Sequence, residues 1–143
     1  MAESDPWALG GAIAERICHD LAGLAGTLGS AVEMAVEDGG GGPSEALDIA
    51  VTAAGELAAR LRLLRAAFGS NPGALDGAAI LALSAGLTGA GRVSVATGGL
   101  SGVVDGVYGR IVLLLMVAAG DALGRGGAIT VSGAPGAVSG SSW

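Results

Sequence analysis

The sequence predicts an α+β protein: a long antiparallel helical hairpin followed by a small α/β domain. Two stretches of the first half place apolar residues at three- and four-residue intervals, and each ends in a Gly/Pro breaker. The second half then changes to short segments, some alternating like strands and all bounded by glycine. The second breaker sets the expected boundary, with the hairpin at 1–70 and the α/β domain at 71–143.

Asp5-Pro6 opens the first helix, an N-cap residue followed by proline at the first helical position. Ala14, Ile17, Leu21, Leu24, Leu28, Ala31 and Ala35 form an a/d seam that carries the helix to about Asp38. Gly39-Gly40-Gly41-Gly42-Pro43 stops it. Ser44 and Glu45 restart the chain, and the second seam reads Leu47, Ala50, Ala54, Leu57, Leu61, Leu64, Phe68. Gly69-Ser70-Asn71-Pro72-Gly73 ends that helix. A lone hairpin cannot enclose such a seam, so a symmetric dimer forming a four-helix bundle is expected; the alternative is that the second half packs over the seam.

In the second half, 74–89 reads as a short helix and Arg92–Thr97 as a strand. A Gly-rich turn, with room for a short strand, leads into a helix from Gly106 to Leu123. Gly124-Arg125-Gly126-Gly127 then turns the chain into a strand at 128–132, and the tail to Trp143 has space for one edge strand. One or two helices on a short sheet is the expected arrangement.

Charge and composition narrow the function. All seven basic residues are arginine, and thirteen acids bring the net charge to -6, a balance opposed to nucleic-acid binding. The single cysteine, Cys18, excludes an internal disulfide and a Cys-rich zinc site, and a lone thiol fits a reducing cytosol. The acidic N-terminus lacks the features of a signal peptide. The most apolar run, 111–120, is far shorter than the roughly 20 residues that span a bilayer. A cytoplasmic location is expected.

His19 is the only histidine, which rules out histidine-pair metal sites. With Ile17 and Leu21 in the seam, His19 falls at the outermost heptad position, pointing to water. Asp20 follows it and Glu15 lies one turn back. A carboxylate beside an imidazole accepts the proton of one ring nitrogen and leaves the other a better nucleophile. The outward positions beyond are small: Ala22, Gly23, Gly26, Gly29 and Ser30. Each mid-helix glycine costs about 1 kcal/mol relative to alanine, and this bare strip would let a partner approach His19 closely. His19 and Asp20 are thus the candidate catalytic pair, with Glu15, Arg16, Ala22, Gly23, Gly26 and Ser30 as the docking surface. Arg60, Arg62 and Arg65 form either an anion-binding patch or a solvated helix face. Asp105 and Asp121 read as cap or surface residues.

The segment from Ile17 to Asp38, ICHDLAGLAGTLGSAVEMAVED, resembles the phosphoacceptor helix of histidine kinases, and RIVLLLMVAAGDALGRGGAITV (Arg110 to Val131) resembles the long helix, Gly-Gly turn and strand of their ATPase domain. Together they resemble the ChpT-like histidine phosphotransferase family, which pairs a dimeric phosphotransfer hairpin with a degenerate ATPase-like domain. Leu114 and Ala118 stand where an active kinase carries Mg-ATP-holding asparagines, and no Asp-x-Gly-x-Gly follows. The resemblance therefore implies a phosphorelay shuttle without ATP-dependent kinase activity. His19 would accept phosphate from a receiver-domain aspartate of a hybrid histidine kinase and pass it to a response regulator, with Mg²⁺ supplied by the receiver and no cofactor bound by this chain. The alternative is a non-catalytic dimeric module that docks receiver or kinase domains and inhibits them.

Overall fold

The computed structural model describes residues 6–39, 45–69, 73–98, 100 and 102–133. Helix α1 runs from Pro6 to Glu37 and α2 from Glu45 to Phe68. They are followed by β1 (Leu75–Asp76), α3 (Gly77–Ser84), a 3-10 turn at Gly89–Gly91, β2 (Val93–Ala96), β3 (Val103–Val104), α4 (Gly106–Ala122) and β4 (Gly127–Thr130). The chain divides into two compact units, 1–58 and 59–143, so the later turns of α2 fold with the second unit.

In the first unit, proline opens α1 as the sequence indicates, and Gly39 at φ 80° closes it in a conformation that favours glycine. Asp5 and the remainder of the first breaker lie outside the described residues, as does Ser44. The α1 seam is turned inward: Ala31 is buried, while Ile17, Leu21, Leu24, Leu28 and Ala35 are half-buried. Ala14 is exposed.

The α2 seam differs from the heptad reading. Ala50 and Leu64 are buried and Leu57 is half-buried, but Leu47, Ala54, Leu61 and Phe68 are exposed. The buried positions are instead Ala46, Ala50 and Ala53 in the first unit and Ala59, Leu63, Leu64 and Ala67 in the second. The physical reason is that α2 is apolar around more than one face. Within the chain its alanine-rich face is the one buried, because a short side chain permits close helix packing, and the larger residues on the adjoining flank stay in solvent.

The second unit has its own core of Leu63, Ala67, Leu75, Ile80, Leu113 and Met116, with Leu83, Leu87, Val95, Leu100 and Ile129 packed around it. Two aspartates start its helices. The Asp76 carboxylate accepts from the Ala79 amide at 2.7 Å at the head of α3, and Asp105 accepts from the Val107 amide at 2.8 Å at the head of α4. The cap role read for Asp105 is present; α3 is shorter than the 74–89 helix that the sequence predicts, because β1 occupies its first residues and a turn and the 3-10 segment its last.

The expected single sheet is two pairs. Strands β2 and β4 are parallel, with Val93 opposite Gly127 and Ala96 opposite Thr130, and α4 lies in the connection between them. Strands β1 and β3 form a separate antiparallel pair, Leu75 with Val104 and Asp76 with Val103. Each strand has two to four residues, too short for alternation to reveal its partner. Gly133 bridges Leu100 in parallel, and the tail beyond it lies outside the described residues. Among the described residues, no helix is long and apolar enough to cross a membrane.

Candidate functional site

Helix α1 carries His19 near its middle, more than two turns from either end. The imidazole is 81% exposed, as its heptad position requires. Asp20 is turned 100° further round the helix, toward the seam, and is only 23% exposed. Its Oδ1 lies 3.7 Å from His19 Nδ1 and 3.6 Å from Arg16 Nε, one turn back. One carboxylate oxygen thus stands between an imidazole and a guanidinium. The His19–Asp20 separation is an electrostatic contact just outside hydrogen-bond range. A small rotation of either side chain would close it.

The remaining surface around His19 is open. Glu15, Arg16, Ala22, Gly23, Gly26 and Ser30 are all exposed. A Cβ placed on Gly23, Gly26 or Gly29 would meet nothing within 4 Å. Packing inside the chain does not demand glycine there. At 100° per residue, Gly23, Gly26 and Ser30 fall within about 40° of His19, forming a smooth track toward the α1–α2 turn.

The arginines of the later part of α2 are not one patch. Arg60 is largely buried, donating to the Gly86 carbonyl at 3.4 Å and pairing with Asp121 at 3.8 Å. It belongs to the framework of the second unit, whereas Arg62 and Arg65 face solvent. Asp121 accordingly joins α4 to α2 and is more than a surface residue.

Sequence reasoning missed one feature. A groove of about 310 Å³ opens between α1 and α2, lined by Leu24, Thr27, Glu45, Asp48, Ile49, Thr52, Ala53 and Glu56. The signal was present in Glu45, Asp48, Thr52 and Glu56, spaced by three and four on one face of α2. Among the described residues, no group of three His, Cys, Asp or Glu side chains is placed to hold a metal ion.

No protein-family model and no curated protein sequence matches the chain. Among solved structures the fold is similar to that of a bacterial phosphotransferase determined at 1.7 Å, with a TM-score of 0.69 and 23% sequence identity. That likeness covers 92% of this chain and 64% of the other, so the match spans less than two thirds of the length of that structure.

Proposed function

We propose that the chain is a histidine phosphotransferase of a bacterial phosphorelay, with His19 as the phosphoacceptor. The observation that carries this reading is a single histidine, 81% exposed at mid-helix, with a partly shielded carboxylate 3.7 Å from one ring nitrogen and a track of uncrowded glycines beside it. A fold shared with a bacterial phosphotransferase supports it.

In the forward step, the Nε2 lone pair of His19 attacks the phosphorus of a receiver's aspartyl phosphate. The N–P bond forms as the P–O bond breaks, and the receiver's aspartate leaves as a carboxylate. Nδ1 keeps its proton, and the Asp20 carboxylate offsets the positive charge that grows on the ring. Arg16 draws the same carboxylate and limits its wandering. Positioning and charge compensation supply most of the catalysis in phosphoryl transfer, so a two-residue site suffices. The Mg²⁺ that accompanies the phosphate is held by the receiver's own acids. A second receiver takes the group by the reverse step.

The partners in this reading are a hybrid histidine kinase and response regulators, met in the cytoplasm. The second unit is the degenerate ATPase-like domain, where Leu114 and Ala118 offer a nucleotide neither a metal ligand nor a hydrogen bond. A homodimer completes the molecule: Leu47 and Val51 are 52% and 66% exposed on a flank of α2 that also carries Ala54. Leu47→Asp with Val51→Asp is expected to turn a dimer into a folded monomer, read by sedimentation equilibrium. A wild-type monomer at micromolar concentration would remove the dimer from the account.

The test of function uses a radiolabelled, aspartyl-phosphorylated receiver domain mixed with wild type and with His19→Ala. Acid-labile, base-stable label on wild type only is the expected result. Receivers that bind both proteins without transferring label would favour the docking-module reading instead.

A further inference from the structure

We propose that α4 carries a second self-association surface, on which two copies of the chain pair their α4 helices antiparallel about a two-fold axis at Leu115. The surface lies in the second unit, on residues to which phosphotransfer assigns no task. The proposal goes beyond that reading and does not rest on it.

Helix α4 buries Gly109, Leu113 and Met116 on one side. On the far side Tyr108, Ile111, Leu115, Ala118 and Ala122 are all exposed, Leu115 by 65%. Their spacing of three, four, three and four is the a/d repeat of a helix that packs along another helix. Between Asp105 and Asp121 the only charged residue is Arg110, and its guanidinium donates to the Gly69 carbonyl just beyond α2. The ridge is thus apolar for about four turns and carries no charge. A contiguous exposed surface of that kind marks an interface.

Apolarity alone does not choose the occupant; size and charge do. The large side chains, Tyr108 and Ile111, stand in the first half of α4, and Ala118 and Ala122 in the second. An antiparallel pair centred on Leu115 sets Tyr108 opposite Ala122 of the second copy and Ile111 beside its Ala118. Large residues meet small ones, and at the axis Leu115 meets itself. The ends match as well. Asp105, at the start of α4, falls opposite Arg125, which lies in the turn after the helix, and both are exposed, so each end of the pair gains an attraction. Asp121 falls opposite Gly109, and Arg110 opposite Gly120, so no charge meets its own sign. A parallel pair would instead set Tyr108 on Tyr108, Asp105 on Asp105 and Arg125 on Arg125. The ridge is complementary to itself in one orientation only.

Area sets the strength. The five side chains offer on the order of 400 Å² per copy, half of the roughly 800 Å² per partner in a standard interface. The contact is therefore weak, and it is felt at high concentration or where another contact already holds copies together. Leu47 and Val51 lie on α2, so the two surfaces are separate, and use of both links hairpin dimers into larger assemblies.

The test uses the full chain carrying Leu47→Asp and Val51→Asp, which removes association through the hairpin. Sedimentation equilibrium is expected to show monomer at about 10 µM and a monomer–dimer mixture at about 1 mM, with a dissociation constant of about 0.1 to 1 mM. Leu115→Asp sets two carboxylates face to face at the axis and should weaken association at least about tenfold. Leu81→Asp, at an exposed residue of α3 outside the ridge, should leave it unchanged. Orientation is read with cysteines in a Cys18→Ser background. A short bifunctional maleimide should join Leu115→Cys to itself at least about tenfold faster than Leu81→Cys, and Tyr108→Cys to Ala122→Cys faster than Tyr108→Cys to itself. No association at the higher concentration, association untouched by Leu115→Asp, or faster self-joining of Tyr108→Cys would overturn the proposal. So would a Leu115→Cys thiol already shielded from a monofunctional maleimide at the lower concentration, which would assign the ridge to a segment of the same chain.

Discussion

Two glycines of the second unit and three of α1 stand in opposite surroundings. In the second unit, a Cβ on Gly86 would stand 2.7 Å from the Ala59 carbonyl oxygen and 2.8 Å from Leu63 Cβ, and Gly126 combines a φ of 96° with the Arg92 carbonyl 2.8 Å away. Those glycines are demanded by the fold. On α1, Gly23, Gly26 and Gly29 have empty space where a side chain would be. They weaken their own helix and relieve no crowding within the chain. The contrast separates glycines that the chain's own packing demands from glycines that it does not.

Three substitutions probe that contrast. The largest effect is expected from Asp20→Asn, which keeps the shape beside His19 and removes the charge. Phosphotransfer should fall by about 10²-fold, with thermal stability changed by less than about 0.5 kcal/mol. A parallel loss of stability and transfer would assign Asp20 to the fold instead. Next is Gly86→Ala, which forces the new methyl against backbone. It should destabilise the second unit by about 1 to 3 kcal/mol and leave the transfer rate of the folded protein unchanged, as read by chemical denaturation alongside labelling. The smallest is Gly23→Ala with Gly26→Ala. This pair should raise stability by about 1 kcal/mol per site while slowing transfer from a receiver. Greater stability with undiminished transfer would show the bare strip to be compositional.

Much of this was legible in the sequence, for reasons that differ by region. Pro6, Gly39 and the Asp105 cap are local signals, and local signals survive into the structure. His19 was placed correctly because a long helix turns sequence spacing directly into direction. The face of α2 was less legible: a helix rich in alanine with scattered leucines offers several apolar stripes of similar strength, and packing chooses among them. Pairing of β1 with β3 was out of reach, since two-residue strands carry no register information. The groove acids were overlooked because each one, Glu45 as much as Asp48, reads alone as an ordinary solvated residue. They stand out only by their shared face on α2 and by the absence of lysine and arginine between 17 and 59.

The alanine character of the hairpin has a dynamic consequence. Every buried hydrophobic residue among the described part of the first unit is alanine: Ala31, Ala46, Ala50 and Ala53. Each contributes a single methyl, while the second unit buries whole side chains at Leu63, Ile80, Leu113 and Met116. At about 0.8 kcal/mol per buried carbon, the four methyls hold α1 against α2 by only about 3 kcal/mol, to which the half-buried Ile17, Leu21, Leu24, Leu28 and Leu57 add part of their side chains. Local opening of α1 therefore lies toward the cheap end of the molecule's fluctuations, and a docked partner or a second copy would close it. Engagement and ordering of α1 would then be a single event, with whatever packs against the helix supplying the closure that its own alanine contacts give only weakly.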